Sequence, residues 1–132
     1  MSDSENDEEL SQFLFEHVET HEQLQTLLLL HKEPANLQTA EAISAALNVP
    51  LAVVLTALKQ LCQQGLVQQD GAQGFRYAAK DETLKAGVER LVEAYDQNWS
   101  TVLRLLSTNA IRRIRTSVIG TFSDAFVLKG RK

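Results

Sequence analysis

The chain has 132 residues, which is enough for one domain with a single core and an additional helix or tail. Hydrophobic residues make up 44% and aromatic residues 6%, and this balance favours helices over an all-β sandwich. A single cysteine excludes an internal disulfide and a multi-cysteine zinc site. The acidic first residues and the absence of a long apolar run predict a cytosolic protein without a membrane-spanning helix.

The formal net charge is −4, and the charges are segregated along the chain. Residues 1–33 hold nine acidic residues and one lysine, whereas residues 112–132 hold six basic residues and one aspartate. The overall acidity argues against general affinity for nucleic acid, but it is compatible with a local basic surface because salt screens charges beyond about 8–10 Å. We predict that residues 1–9 are disordered or loosely helical and that residues 108–132 form a basic amphipathic segment and tail.

The structured part is predicted to begin at Leu10 with an amphipathic helix. Apolar residues at spacings of three and four define its inner face: Leu10, Phe13, Leu14 and Val18. Thr20 and Gln23 form a capping box that opens the next helix, which ends before Pro34.

A third and a fourth helix are predicted on either side of a tight turn. Thr39 caps the third helix, and its predicted inner face consists of Ala42, Ile43, Ala46 and Leu47. Asn48 and Pro50 suit a turn between helices, and the fourth helix runs over residues 51–64 and stops at Gly65. Its predicted core side consists of Val54, Leu58 and Leu61. Residues 66–69 and 75–79 then alternate as the two strands of a β-hairpin.

This order of elements is that of a winged helix-turn-helix. The residues that carry the pattern are those of the segment 39–50, Val54, Leu58, Leu61, the Gly65-Leu66-Val67 step and the hairpin closing on Tyr77. Over about residues 20–80 the chain resembles winged-helix transcription regulators of the multiple-antibiotic-resistance type. The resemblance implies a mainly α fold with a small β-hairpin, and a non-enzymatic, DNA-binding regulator. Winged helices also serve as protein-binding modules, so that alternative stays open.

The fourth helix is where a DNA reader places side chains in the major groove. The residues on and near its outward face that suit DNA or partner contacts are Thr56, Lys59, Gln60 and Gln63. Within the hairpin, Arg76 is the basic residue that could reach a phosphate. That face holds one charge, together with the apolar Leu51 and Leu55 and the borderline Val53. The sequence therefore leaves two hypotheses: DNA binding helped by the basic C-terminus, or protein binding through an apolar patch.

A long helix is predicted over residues 81–107, capped by Asp81 and broken near residues 107–109. It has more apolar surface than a winged-helix domain over residues 10–80 can cover. We predict that it pairs with a second copy, with an interface formed by Leu91, Tyr95, Trp99 and Val102. The alternative is that the helix folds back on the chain's own first helix.

The C-terminal segment combines arginines with an apolar side that extends to Phe122 and Phe126. The predicted phosphate or partner contacts in this segment are Arg112, Arg113 and Arg115. Helices of this type bind in partner grooves, lie on anionic membranes or contact phosphates, and the alternative is a plain helical extension packed on the body.

No catalytic pattern emerges from the remaining residues. His17 and His21 flank a predicted helix start and lack the spacing of a zinc protease motif, and Cys62 has no neighbouring base. We therefore predict a protein without catalytic residues, metal or cofactor.

Overall fold

The computed structural model describes the backbone of residues 2–72 and 74–130 and the side chains of residues 7–72 and 74–116. It is mainly helical, with one two-stranded antiparallel sheet. The elements are α1 (Ser2–His17), α2 (His21–Lys32), α3 (Ala40–Leu47), α4 (Leu51–Gln63), β1 (Val67–Asp70), β2 (Gly74–Tyr77) and α5 (Glu82–Gly130). This confirms the predicted winged helix-turn-helix with a long C-terminal helical extension.

The predicted capping box at the start of α2 is present. Thr20 Oγ1 accepts a hydrogen bond from the backbone N–H of Gln23 at 3.1 Å. The Gln23 side chain reaches back and accepts from the backbone N–H of Glu19 at 2.6 Å, one residue before the cap. The two bonds fix the corner between α1 and α2.

The helix-turn-helix is formed by α3 and α4, which are bent by 116° relative to each other. Thr39 caps α3 through a 3.1 Å bond from the backbone N–H of Ala42. Asn48 ends α3 in the left-handed conformation, with a φ of 57°. Among the described helices none alone is long and apolar enough to cross a membrane, and the bent pair of α3 and α4 meets that test of length and composition together.

The inner face of α3 differs from the prediction. Ala40 and Ile43 are buried, whereas Ala42 and Ala46 are exposed. Because α3 begins directly after Thr39, its inward positions are the first and fourth residues of the helix, with Leu47 one turn further on. The prediction for Ala42 and Ala46 was therefore wrong, and they lie on the solvent side.

The wing is an antiparallel hairpin in which Val67 pairs with Tyr77 and Asp70 with Gly74. Its strands are shifted by one or two residues from the predicted ones. A further backbone pair joins the segment before α3 to the wing, because Gln38 and Phe75 exchange two hydrogen bonds of 2.9 Å. The wing is thus joined to the helix-turn-helix in two places: β1 follows α4 in the chain, and β2 pairs with the segment before α3.

The long helix α5 contains a kink at Asn98, where φ is −157° and ψ is 78°. Asn98 Oδ1 accepts a hydrogen bond from the backbone N–H of Thr101 at 3.4 Å and thereby acts as the N-cap of the second half of α5. It also accepts from Ser100 Oγ at 2.8 Å. The predicted break at residues 107–109 is wrong. Asn109 lies inside the helix, buried, and its amide donates to the backbone carbonyl of Ser11 at 2.8 Å. Because the Asn109 side chain bonds to the backbone of α1, it does not compete for the backbone groups of its own helix, and α5 continues through it.

The helix α5 folds back on α1. The predicted inner face of α1 is confirmed, with Leu10, Leu14 and Val18 buried in the core. Since α1 begins at Ser2, it includes most of the acidic segment that was predicted to be disordered or loosely helical. Two ion pairs tie its acidic first half to α5: Asp7 with Arg104 at 3.8 Å and Glu9 with Arg90 at 3.5 Å.

Candidate interaction surface

The outward face of α4 is apolar and largely exposed. As predicted, Val54, Leu58 and Leu61 point into the core. On the other side, the exposed large apolar side chains are Leu51 at 39%, Val53 at 36% and Leu55 at 48%. The borderline Val53 is thus exposed, but it lies on the other side of the outward face from Leu51 and Leu55, which are one turn apart. We call Leu51 and Leu55 the α4 patch.

Three of the four polar residues predicted on α4 are available to a ligand. Thr56, Lys59 and Gln63 are exposed, although Thr56 Oγ1 donates to the backbone carbonyl of Ala52 at 3.1 Å. Gln60 differs, because it is half-buried and its side-chain oxygen accepts a hydrogen bond from the buried amide of Gln23. Gln60 thus joins α4 to α2, and its predicted ligand contact stays a prediction.

The wing adds little free positive charge. Arg76 Nε donates to Asp70 Oδ2 at 2.6 Å, and Arg76 Nη2 donates to Gln68 Oε1 at 3.0 Å. Gln68 and Arg76 are directly opposite in the hairpin, so the register itself produces the second contact. The positive charge of Arg76, which was predicted to contact a phosphate, is therefore neutralised by Asp70 within the wing.

A shallow groove of about 340 Å³ lies along the Val53 side of α4, away from Leu51 and Leu55. It is lined by Thr20, Glu22, Ala52, Val53, Thr56, Ala57 and Gln60. Glu22 carries the charge among these lining residues, and it is negative. A polyanion next to this groove would meet a carboxylate, whereas a basic side chain would be attracted to it.

The three predicted arginines of α5 have three different environments. Arg113 donates through Nη2 to the backbone carbonyls of Leu14 at 3.1 Å and Phe15 at 2.6 Å, so it caps the C-terminal end of α1. Arg112 is exposed and lies over the Phe15 ring, 4.0 Å from its centroid. Arg115 is exposed. Arg113 Nη2 is thus used inside the chain, and the predicted ligand contact of Arg113 stays a prediction.

The four residues predicted for a dimer interface differ in how far they are exposed to solvent. Leu91 and Val102 are fully buried in the core of the chain, which corrects their assignment to a partner contact. Tyr95 is half-buried, and its hydroxyl accepts a hydrogen bond from Gln25 Nε2 at 3.0 Å. Trp99 remains 58% exposed, directly after the kink. The predicted apolar continuation at Phe122 and Phe126 lies outside the described side chains.

The histidines and the cysteine have structural surroundings. His17 Nδ1 lies 2.7 Å from Gln64 Oε1 and links the end of α1 to the end of α4, whereas His21 is exposed. Burial raises the pKa of the Cys62 thiol, which lowers its thiolate fraction at neutral pH. Among the residues that the structure describes, no cluster of three His, Cys, Asp or Glu side chains is placed to hold a metal ion.

Sequence reasoning missed the cap that Arg113 provides and the kink at Asn98. The kink had a local signal, since asparagine is among the strongest N-cap residues. The Arg113 contact had none, because its partners are backbone atoms 98 and 99 residues away in the sequence.

No protein-family model matches the chain, and no curated protein matches it. A solved structure with a similar fold is that of Lactococcus lactis ZitR, in a cysteine-to-serine mutant form. The two chains are 19% identical, the match covers 81% of this chain and 75% of that one, and the TM-score is 0.49.

Proposed function

We propose that this chain is a non-enzymatic winged-helix regulator that binds another protein through the α4 patch. The observation that carries the proposal is the exposure of Leu51 and Leu55 on the helix that a DNA reader would place in the major groove. They are one turn apart on the same side of α4, and they gain free energy when a partner removes them from water. The partner's matching surface would be apolar.

The charge distribution supports a protein over DNA. Affinity for DNA comes largely from basic side chains on phosphates. Lys59 is the one charged residue of α4, whereas Arg76 and Arg113 are engaged within the chain. Among the side chains that the structure describes, little positive charge is left free near the α4 patch to neutralise a phosphate backbone.

DNA binding is the second candidate function. It is favoured by the helix-turn-helix geometry and by the exposure of Thr56, Lys59 and Gln63 on α4. In that case phosphate contacts would come from Lys59 and from the exposed arginines Arg112 and Arg115.

Fluorescence anisotropy with random and selected DNA duplexes at two salt concentrations separates the two functions. For a protein-binding module we expect dissociation constants weaker than about 10 µM at low salt, short of the affinities of specific DNA sites. Binding in the nanomolar range that weakens steeply with salt would establish the DNA-binding function instead.

The protein-binding function is tested with a matched pair of variants. The double substitution Leu51→Gln and Leu55→Gln should weaken binding of a purified partner at least tenfold, because it makes the α4 patch polar. Leu37→Gln is the control, since Leu37 is also an exposed leucine, at 52%, but lies in the loop between α2 and α3. The proposal would be contradicted if Leu37→Gln weakened binding of the partner as much as the double substitution does.

For assembly we propose a homodimer through the second half of α5, with its interface moved from the predicted residues. Trp99, half-buried Leu103 and exposed Ile114 lie on one side of this helix at spacings of one and three turns. Light scattering at tens of micromolar should give the mass of two chains. Trp99→Glu with Ile114→Glu should give a monomer, because the interface would bury unpaired charges. A monomeric wild-type protein would refute the dimer.

A further inference from the structure

A groove of about 630 Å³ lies between α2, the end of α3 and the first half of α5. Its apolar lining consists of the half-buried Leu28, Leu29, Leu47, Val92 and Tyr95. The volume falls in the range of about 300–1,000 Å³ that is usual for small-molecule sites. The groove is separate from the α4 patch, because the two share no lining residue.

One side of the groove carries three carboxylates of α5. Glu89, Glu93 and Asp96 follow one another at spacings of four and three, so they lie along the same side of the helix. Like charges at these spacings repel each other. In the described part of the chain, the ion pairs are formed by other carboxylates, and the lysine of the groove, Lys32, is not paired with these three.

Two side chains of the groove wall are already held in place. Tyr95 is fixed by the 3.0 Å hydrogen bond from Gln25, and the His31 ring packs edge-on against the Tyr77 ring with a centroid distance of 4.9 Å. The charge of Glu89, added to a larger effect of burial, raises the pKa of Tyr77. A groove with a fixed wall loses less conformational entropy when it is filled.

We propose that this groove binds a small organic cation, a protonated amine on an apolar body. The body would cover the exposed parts of Leu28, Leu29 and Val92 and displace water from them. The ammonium group would lie at the carboxylates of α5 and relieve their mutual repulsion. An organic anion would meet the same three negative charges and be disfavoured.

The choice of ligand class is tested by isothermal titration calorimetry at pH 7 with three probes of the same carbon skeleton. Phenylbutylamine is a cation, phenylbutanol is neutral and phenylbutyrate is an anion. We expect the amine to bind at least about tenfold more tightly than the alcohol, and the carboxylate to bind most weakly.

The site is tested with two sets of charge-removing variants. Glu89→Gln, Glu93→Gln and Asp96→Asn together should weaken binding of phenylbutylamine about tenfold and leave phenylbutanol unchanged. Glu8→Gln, Glu19→Gln and Glu41→Gln remove the same charge from exposed positions outside the groove and should leave both probes unchanged. Equal binding of the three probes, tighter binding of the anion, no binding of the amine, or equal effects of the two variant sets would each overturn the proposal.

Discussion

Replacing Leu58 with alanine is expected to lower the free energy of unfolding by about 2–5 kcal/mol. Leu58 is 1% exposed and lies in the core side of α4. The substitution removes buried apolar atoms and leaves a cavity between α4 and the rest of the winged helix. Chemical denaturation of the purified variant gives the change directly, and the thermal midpoint should fall with it.

The matched control for Leu58 lies on the same helix. Leu55→Ala makes the same chemical change three residues earlier, at a side chain that is about half exposed. Its effect should stay within about 0.5 kcal/mol, because surface substitutions outside special contacts are close to neutral. If the two variants lost equal stability, α4 would be rotated from its described orientation and the α4 patch would not be a surface.

Replacing Arg113 with alanine is expected to cost about 1.5–3 kcal/mol of stability, the usual range for a hydrogen bond to a charged group. The guanidinium donates to two backbone carbonyls at the end of α1, those of Leu14 and Phe15, and both lose this donor in the variant. The Leu14 carbonyl still accepts from the backbone N–H of Val18 at 2.9 Å. The loss is measured by urea denaturation, with circular dichroism reporting the helices.

Neighbouring arginines provide the comparison for Arg113. Arg112→Ala should cost about 0.5–1 kcal/mol, because Arg112 stacks on the Phe15 ring at an exposed site. Arg115→Ala should be near neutral, because the side chain is exposed. Equal losses from all three substitutions would contradict the described cap on α1 and would indicate a general effect of charge.

The winged helix could be predicted from local signals. Thr20 and Thr39 are capping residues, Asn48 tolerates left-handed backbone, and Gly65, with a φ of 78°, allows α4 to end where the wing begins. Each of these signals acts within a few residues, which is why the sequence alone reveals it. The orientation of α3 was less predictable, because alanines such as Ala42 suit either side of a helix.

The surroundings of the site residues could not be predicted in the same way. Gln60 and Arg76 are polar residues at exposed-looking positions, and a helical pattern does not tell whether another side chain reaches them. Gln23 of α2 bonds to Gln60, and Asp70 of β1 accepts a hydrogen bond from Arg76. Leu91 and Val102 show the same limit for apolar residues, since the pattern identifies an apolar face but not whether α1 or a second copy covers it.

The packing of α1 on α5 has a consequence during synthesis. The bond between Ser11 and Asn109 spans 98 residues, so α1 is made well before the helix that covers it. At translation rates of about 5–20 residues per second, the ribosome needs roughly 5–20 s to proceed from Ser11 to Asn109. During that time Leu10 and Leu14 lack their contacts with α5. The winged helix between them, built from shorter-range contacts, can form within that interval. In that interval the negative charges around Asp7 and Glu9 oppose aggregation of the nascent chain, because they flank the apolar face of α1 while it is exposed to solvent.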